Sequence, residues 1–342
     1  MGQEMGELDT GRLLGGEAGL LRRSVAEFEA FPVDQELQWG DASLTPAGQT
    51  TLKDSFAVTG PGTFFGKAHR TLTFEPTDRE GWWFDRVDRR HELPIHVSIE
   101  NVWNTIRNIV LRSGSPHNYM RLVEHIIALK TGMGLDNVMI RMDSGDPPLF
   151  DRASMDLVDN IDRVGVAVSD KPARYVTVKE PVTLVSKSGR FLTFLPPEDG
   201  RRELDIDCAI DFNSAIRKQR IRFTVTADTC RHGAVARTNA TFLDMFYCKT
   251  VGAFFADTRN MGYTRHNVLV AGLWHYFNRP RLVHNGKALE AVWHRATLDL
   301  LAAVALIDRG RFVGRIVSYK AGHALDCNMV RELYNRDMLC KV

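Results

Sequence analysis

The sequence predicts an α+β fold made of two similar units, a duplicated β-α-α-β sandwich with small insertions. Three observations carry that expectation. Strand-like and helix-like stretches follow the same order in residues 49–175 and again in 176–342. Each half holds one strongly apolar helical pattern of a length that suits the centre of a layered domain. Finally, 342 residues, 44% of them hydrophobic, supply enough apolar material for two ordinary cores. Residues 1–48 precede both units as an extension, and an insertion at about 239–290 interrupts the second.

Within the extension, Leu20–Phe31 (LLRRSVAEFEAF) reads as a short helix. From Thr51 the stretch TLKDSFAVTGPGTFFGKAHRTLTFEP reads as two strands around a turn in which Gly60, Gly62 and Gly66 permit tight backbone. VSIENVWNTIRNIVL has helical spacing, with room for a strand at its end. In YMRLVEHIIALKTGMG, Met120, Val123, Ile126, Ile127 and Met133 make one apolar stripe, and Gly132 and Gly134 close the helix. NVMIRMD is a strand, and the Pro-rich SGDPPLFDRAS leads into the helix ASMDLVDNI. The second half repeats the texture with strands in YVTVKEPVTLVSKSGRFLTFLPP, LDIDCAIDF and KQRIRFTVTAD. The insertion ends in RLVHNGKALEAV, a hairpin with Asn285-Gly286 at its turn. WHRATLDLLAAVALI is the second apolar helix, FVGRIVSYKAGH a strand running into a loop, and ALDCNMVRELYNRD a terminal helix.

Composition narrows the function classes. The formal charge of +2 arises from 44 basic and 42 acidic residues, a balance that argues against nucleic acid as the main partner. Cys208, Cys230, Cys248, Cys327 and Cys340 are scattered and contain no CxxC pair, so neither a disulfide framework nor a thiolate zinc finger is expected. A reducing, cytoplasmic compartment fits that usage. The first thirty residues, with Glu4, Glu7, Asp9 and Glu17, lack the basic start and apolar run of a signal peptide. No apolar stretch reaches membrane-spanning length, which leaves membrane-surface contact open.

Three groups of residues could carry chemistry. Glu124-His125 lies in the middle of a helix with apolar neighbours, where a carboxylate beside an imidazole is costly to bury unless both are used or paired. Zinc hydrolases need histidine ligands and a carboxylate that accepts a proton from water. His294, Arg295 and Asp299 open the second apolar helix, and His and Asp are both acceptable zinc ligands. Their spacing is awkward: residues four apart differ by about 40° around a helix, five apart by about 140°. His294 and Asp299 share a face only if one residue bulges out, as in a π-bulge. Spacing alone favours a capping histidine and a surface aspartate. His323, in the loop Lys320-Ala321-Gly322-His323, is placed to protonate a leaving amine near neutral pH.

Taken together, the motifs resemble those of the zinc-dependent UDP-3-O-acyl-N-acetylglucosamine deacetylases of lipid A biosynthesis, over about residues 49–335. TLKDSFAVTGPGTFFGK is similar to that family's opening TI…ATGVGLHxGK. VEHIIALKTGMGLDNVMI is similar to VEHxxAALxGLGIDN. PPLFDRAS stands for an IPIMDGS-like turn, AIDFN and ARTN for IDFxHP and ARTF, and HRATLD and SYKAGHAL for RHKxLD and YKSGHAL. The resemblance implies two sandwich domains with a Zn2+ site between them, and a small amino-sugar substrate of the UDP-linked class. Glu124 is then the general base, with His125, His294 and Asp299 as zinc ligands. His323 is the general acid and Thr238 a hydrogen-bonding group near the oxyanion. Arg295 replaces a lysine near substrate phosphate, with Lys320 and Asn239 as further substrate contacts.

Several positions depart from the family. Its second ligand pair is four residues apart; here it is five. An alignment anchored on Asp299 puts Arg295, which cannot bind zinc, in the ligand position. One anchored on Val292–Arg295 keeps His294 and inserts one residue, and this alignment is preferred. Ala303 stands where the family has an aspartate that orients the acid histidine, and Phe64-Phe65 where it has a histidine. The family's acyl-chain insertion here carries Phe242, Phe246, Tyr247, Phe254 and Phe255, spaced as core aromatics usually are. A non-catalytic relative that binds or regulates is the alternative to a hydrolase.

Overall fold

Two mixed sheets and the helices between them organise the chain. A computed structural model describes residues 11–37, 46–254 and 261–342; the acidic residues Glu4, Glu7 and Asp9 and the aromatic Phe255 lie outside them. The first sheet has five strands in the order Phe56–Pro61, His69–Pro76, Val138–Met142, Trp82–Arg86 and Ile95–His96. The second has seven, in the order Arg12–Gly15, Val182–Val185, Phe191–Leu195, Gly314–Tyr319, Leu204–Phe212, Arg217–Thr224 and Gln35–Leu37. The fold is α+β, as the alternating texture predicts.

The extension is no loose arm. Its two strands, Arg12–Gly15 and Gln35–Leu37, pair in parallel with Val182–Leu184 and Ile221–Phe223 and so form both edges of the second sheet. Edge strands this short offer little backbone for another chain to pair with. The helix between them, Ala18–Glu29, buries Leu21, Val25 and Phe28 against Phe191, Val317 and Tyr319.

Helices fill the space between the sheets. Glu124–Gly132 runs alongside a helix from Glu290 to Ala305, close enough that Thr131 Oγ1 donates to the Leu301 carbonyl at 3.3 Å. Lys130 Nζ donates to the Ala305 and Ile307 carbonyls at 2.6 and 3.1 Å, supplying donors to a helix end that has lost its own. One continuous core joins both halves, including Ile127, Leu129, Leu157, Val292, Leu298 and Met329.

Two expectations need correction, and one helix was not anticipated. The stretch Val97–Leu111 is not helical: a 3-10 turn at Ile99–Asn101 leads to short strands Val102–Asn104 and Val110–Arg112. Its β-branched content and Ser98 favour extended backbone over the apparent helical spacing. The helix expected from Tyr119 begins only at Glu124, because Tyr119–Met120 pairs as a strand and Leu122 adopts φ 51°. Glu124 and His125 therefore occupy the first helical turn rather than its middle. A further helix, Ala227–Ala234, capped by Thr226 and Thr229 in a capping box, gave no apolar periodicity to read. The Asn285-Gly286 hairpin forms as expected, with φ 49° and 78°.

Gly233 lets this capped helix touch the helix from Glu290. A Cβ there would lie 2.3 Å from Thr297 Oγ1 and 2.7 Å from Thr297 Cβ. Gly233→Ala is expected to lower stability by about 1–3 kcal/mol despite the better helix propensity of alanine. Urea unfolding measures this, and an unchanged or raised midpoint would contradict the contact.

Candidate active site

The helix carrying His294 and Asp299 is not regular. It is α-helical over Glu290–His294, π-helical over Arg295–Leu300 and α-helical again over Leu301–Ala305. The π turn takes up the fifth residue of the awkward spacing, and both side chains emerge on one side: His294 Nδ1 lies 3.6 Å from Asp299 Oδ1.

Three other elements deliver the remaining groups. The first turn of Glu124–Gly132 brings Glu124 and His125. The strand Thr238–Thr241, parallel to Val268–Ala271, brings Thr238, and the helix His323–Asn335 begins with His323. Thr238 Oγ1 sits between two imidazoles, 3.2 Å from His125 Nε2 and 3.0 Å from His294 Nε2. The two rings are 5.1 Å apart. His323 Nε2 lies 3.6 Å from Asp299 Oδ1 and 3.9 Å from Glu124 Oε1. The structure thus gathers Glu124, His125, Thr238, His294, Asp299 and His323, which span two hundred positions of sequence.

Burial separates the two carboxylates. Glu124 is 2% exposed, and burial pushes its carboxyl up to about 7 against the opposing charge of His323 and the Ile109 N–H that donates to Oε2 at 3.0 Å. Burial raises Asp299 as well, but His294, His323 and Arg295 outweigh it and hold the carboxyl below its ordinary value. Burial, with the charge of His294, depresses His125 to about 3, and burial lowers His294 also, so both rings are neutral near pH 7. A proton acceptor poised near neutrality beside a firmly ionised carboxylate is a common division of labour in hydrolytic sites.

Do these residues fit a zinc ion? Two neutral imidazoles and one carboxylate are the donor chemistry of catalytic zinc, and neutral rings bind without first losing a proton. Asp299 Oδ1 and His125 Nδ1 are buried without a hydrogen-bond partner, and an unpartnered buried carboxylate oxygen calls for a cation. Among the described residues, no three His, Cys, Asp or Glu side chains converge at ligating distance on one point. Thr238 Oγ1 lies where both Nε2 atoms aim. The donor set fits; its side chains stand apart.

The expected substrate contacts are placed differently. Arg295, 6% exposed, turns inward: Nη2 donates to Asp326 Oδ1 at 2.7 Å and Ser318 Oγ at 3.1 Å, and Nε donates to the Ala321 carbonyl at 3.0 Å. A guanidinium committed to a buried carboxylate is not presented to a substrate phosphate. Lys320 Nζ is 3.1 Å from Asp211 Oδ2 and 3.9 Å from Glu27 Oε2. Asn239 follows Thr238 on a strand, and alternation turns it to the opposite face.

Three of the five aromatics expected to be core, Phe246, Tyr247 and Phe254, are exposed instead. Phe246 is 60% exposed, Tyr247 42% and Phe254 85%; the side chain of Phe242 lies outside the described residues. Tyr263, which the sequence did not single out, packs with Phe64, Leu122 and Leu149 beside the first turn of the Glu124 helix. A cavity of about 530 Å³ opens at the other end of the central helices, near Lys130 and Ala305, away from all six gathered groups. Three of the arginines that line it are engaged, Arg311 by Asp136, Arg174 by Glu80 and Arg222 by Asp207.

Residues 49–335 match the family of UDP-3-O-acyl N-acetylglycosamine deacetylases. This chain belongs to that family. Among curated relatives of that deacetylase family, the UDP-3-O-acyl-N-acetylglucosamine deacetylase of Syntrophus aciditrophicus is 26% identical over 288 residues, 83% of this chain and 85% of its own. The deacetylase of the same name from Leptospira biflexa is 27% identical over 282 residues, covering 82% and 88%. That of Hahella chejuensis is 27% identical over 294 residues, covering 84% and 91%. Among the described residues no helix is long and apolar enough to cross a membrane.

Glu124 makes stability depend on pH. Its folded-state pKa stands above the unfolded value, so the stabilising protonated form is present below about 4.5 and is lost as pH rises through about 7. In metal-free protein, Glu124→Gln should therefore gain on the wild type between pH 4 and pH 8, by at most about 3 kcal/mol. Thermal melts across that range measure it, and a pH-independent difference would contradict the buried carboxylate.

Proposed function

We propose that this chain is a zinc-dependent deacetylase that hydrolyses the amide of an N-acylated amino sugar, with a nucleotide-linked sugar as the substrate class. The observation that carries the reading is the meeting of Glu124, His125, Thr238, His294, Asp299 and His323 at one place, with Glu124 near neutral pKa. Family membership and the names of the relatives point to the same chemistry.

In this reading His125, His294 and Asp299 hold the zinc. When bound, the ion supplies Lewis acidity that polarises the amide carbonyl and makes water easier to deprotonate. Glu124 accepts the proton of the attacking water through the carboxylate that Ile109 N–H fixes. The Thr238 hydroxyl donates to the oxygen that gains charge. The C–N bond then breaks, and His323 Nε2 delivers a proton to the departing amine. Products are a carboxylate and a free amino sugar. The five free cysteines agree with a reducing, cytoplasmic setting.

A second reading, a non-catalytic binding relative, is favoured by one observation: the three ligand side chains do not converge. Metal analysis separates the two. Protein purified without added zinc should carry about one zinc per chain, the stoichiometry of a single catalytic site. His125→Ala should lose the metal. Glu124→Ala should keep it and lose about 10²–10⁴-fold in kcat on an N-acetylated UDP-sugar. Wild-type protein that takes up no divalent metal at all would establish the binding relative instead.

A further inference from the structure

Besides Asp299 Oδ1 and His125 Nδ1, three buried atoms beside the site have no hydrogen-bond partner: Arg295 Nη1, His323 Nδ1 and Asp326 Oδ2. His323 Nδ1 and Asp326 Oδ2 belong to residues three apart in the first turn of the helix His323–Asn335, hence on one face of it. Asp326 is wholly buried, and its other oxygen is held at 2.7 Å by Arg295 Nη2. Arg295 is itself fixed by Ser318 Oγ and the Ala321 carbonyl, and it directly follows His294. The pair is therefore a strut between the π turn and the helix that starts with His323. Burying a charged pair is costly and is seldom worth its energy as stability alone. A group that orients a catalytic imidazole through its second nitrogen justifies such a cost.

We infer that Asp326, anchored by Arg295, is a positioning residue: its free oxygen accepts from His323 Nδ1–H through one bridging water, and so aims Nε2 at the departing amine. The assignment rests on the proposed deacetylase reading and names a residue that serves the same site. Nε2 is then the nitrogen that carries the transferable proton, and it is the one that faces Glu124 and Asp299. Burial raises the Asp326 carboxyl to about 6, opposed by the charges of Arg295 and His323. Those same opposing charges are the two groups it is inferred to serve.

Two variants and one spectrum test it. Asp326→Asn keeps the shape and offers an amide in place of the carboxylate. The double variant Asp326→Leu with Arg295→Met removes the pair without leaving a lone buried charge, so it folds where a single truncation risks not doing so. Both should lower kcat about 10- to 100-fold, with KM and zinc content unchanged. ¹⁵N spectra of histidine-labelled, zinc-loaded protein should show His323 Nδ1 as a hydrogen-bonded N–H in the wild type and should lose that signature in both variants. A double variant with wild-type kcat, or a rise in KM at constant kcat, would overturn the inference. So would a His323 Nδ1 that is unprotonated or free of any hydrogen bond in the wild type. The spectrum needs no turnover, so failure of the deacetylase reading and failure of this one are told apart.

Discussion

A single π-helical turn sets the geometry on which the site depends. Five residues separate His294 from Asp299, and a regular helix would point them about 140° apart. The turn over Arg295–Leu300 brings His294 Nδ1 to 3.6 Å from Asp299 instead. Such a turn forfeits regular hydrogen bonds and persists only where surroundings enforce it. Here the surroundings are specific. Thr297 Oγ1 donates to the Trp293 carbonyl at 2.7 Å, Gly233 packs directly on Thr297, and Arg295 is tied to Asp326.

Buried charge is managed on both sides of that turn. Before it, Glu290, fully buried, accepts from Arg237 Nε at 2.7 Å, from Arg237 N at 3.0 Å and from Arg281 N at 2.6 Å. That cluster fixes the start of the helix that carries His294 and Asp299 and, through Arg237, the position of Thr238. After it, the Arg295–Asp326 pair fixes the helix that bears His323. The gathered groups therefore stand between two buried ion pairs, Arg237–Glu290, whose carboxylate is fully hydrogen-bonded, and Arg295–Asp326, which keeps Asp326 Oδ2 and Arg295 Nη1 without a hydrogen-bond partner, as Asp299 Oδ1 and His125 Nδ1 are within the site. A site so arranged stores its unmet hydrogen-bonding capacity where ligands bind.

Much of the fold was legible because it is written in local pattern. Alternation and β-branched runs located the strands, and the stripes in residues 119–134 and 293–307 located the central helices. What failed was decided by non-local forces. Tyr119–Met120 pairs with Leu111–Arg112, and that pairing, with the left-handed Leu122, delays the helix start to Glu124. The extension's strands gave little signal because an edge strand of three or four residues is fixed by its neighbour, not by its own composition. The ordered motifs singled out His125, His294, Asp299, Thr238 and His323, and the fold brings these side chains together. The motifs could not reveal that Arg295 and Lys320 are engaged by Asp326 and Asp211, since ion pairing across a fold leaves no trace in spacing. Asp326 was within reach of sequence reasoning: it lies three residues from His323, on the same helical face, where Ala303 had drawn attention to a missing acceptor.

The account's central claim is that His125, His294 and Asp299 share one cation. Zinc-edge anomalous diffraction from crystals of the zinc-loaded protein tests it most directly. The account predicts one peak, with two nitrogens and one carboxylate oxygen at about 2.0–2.2 Å and an open fourth position. A peak elsewhere, or His294 turned away from His125 with no ion between them, would contradict it.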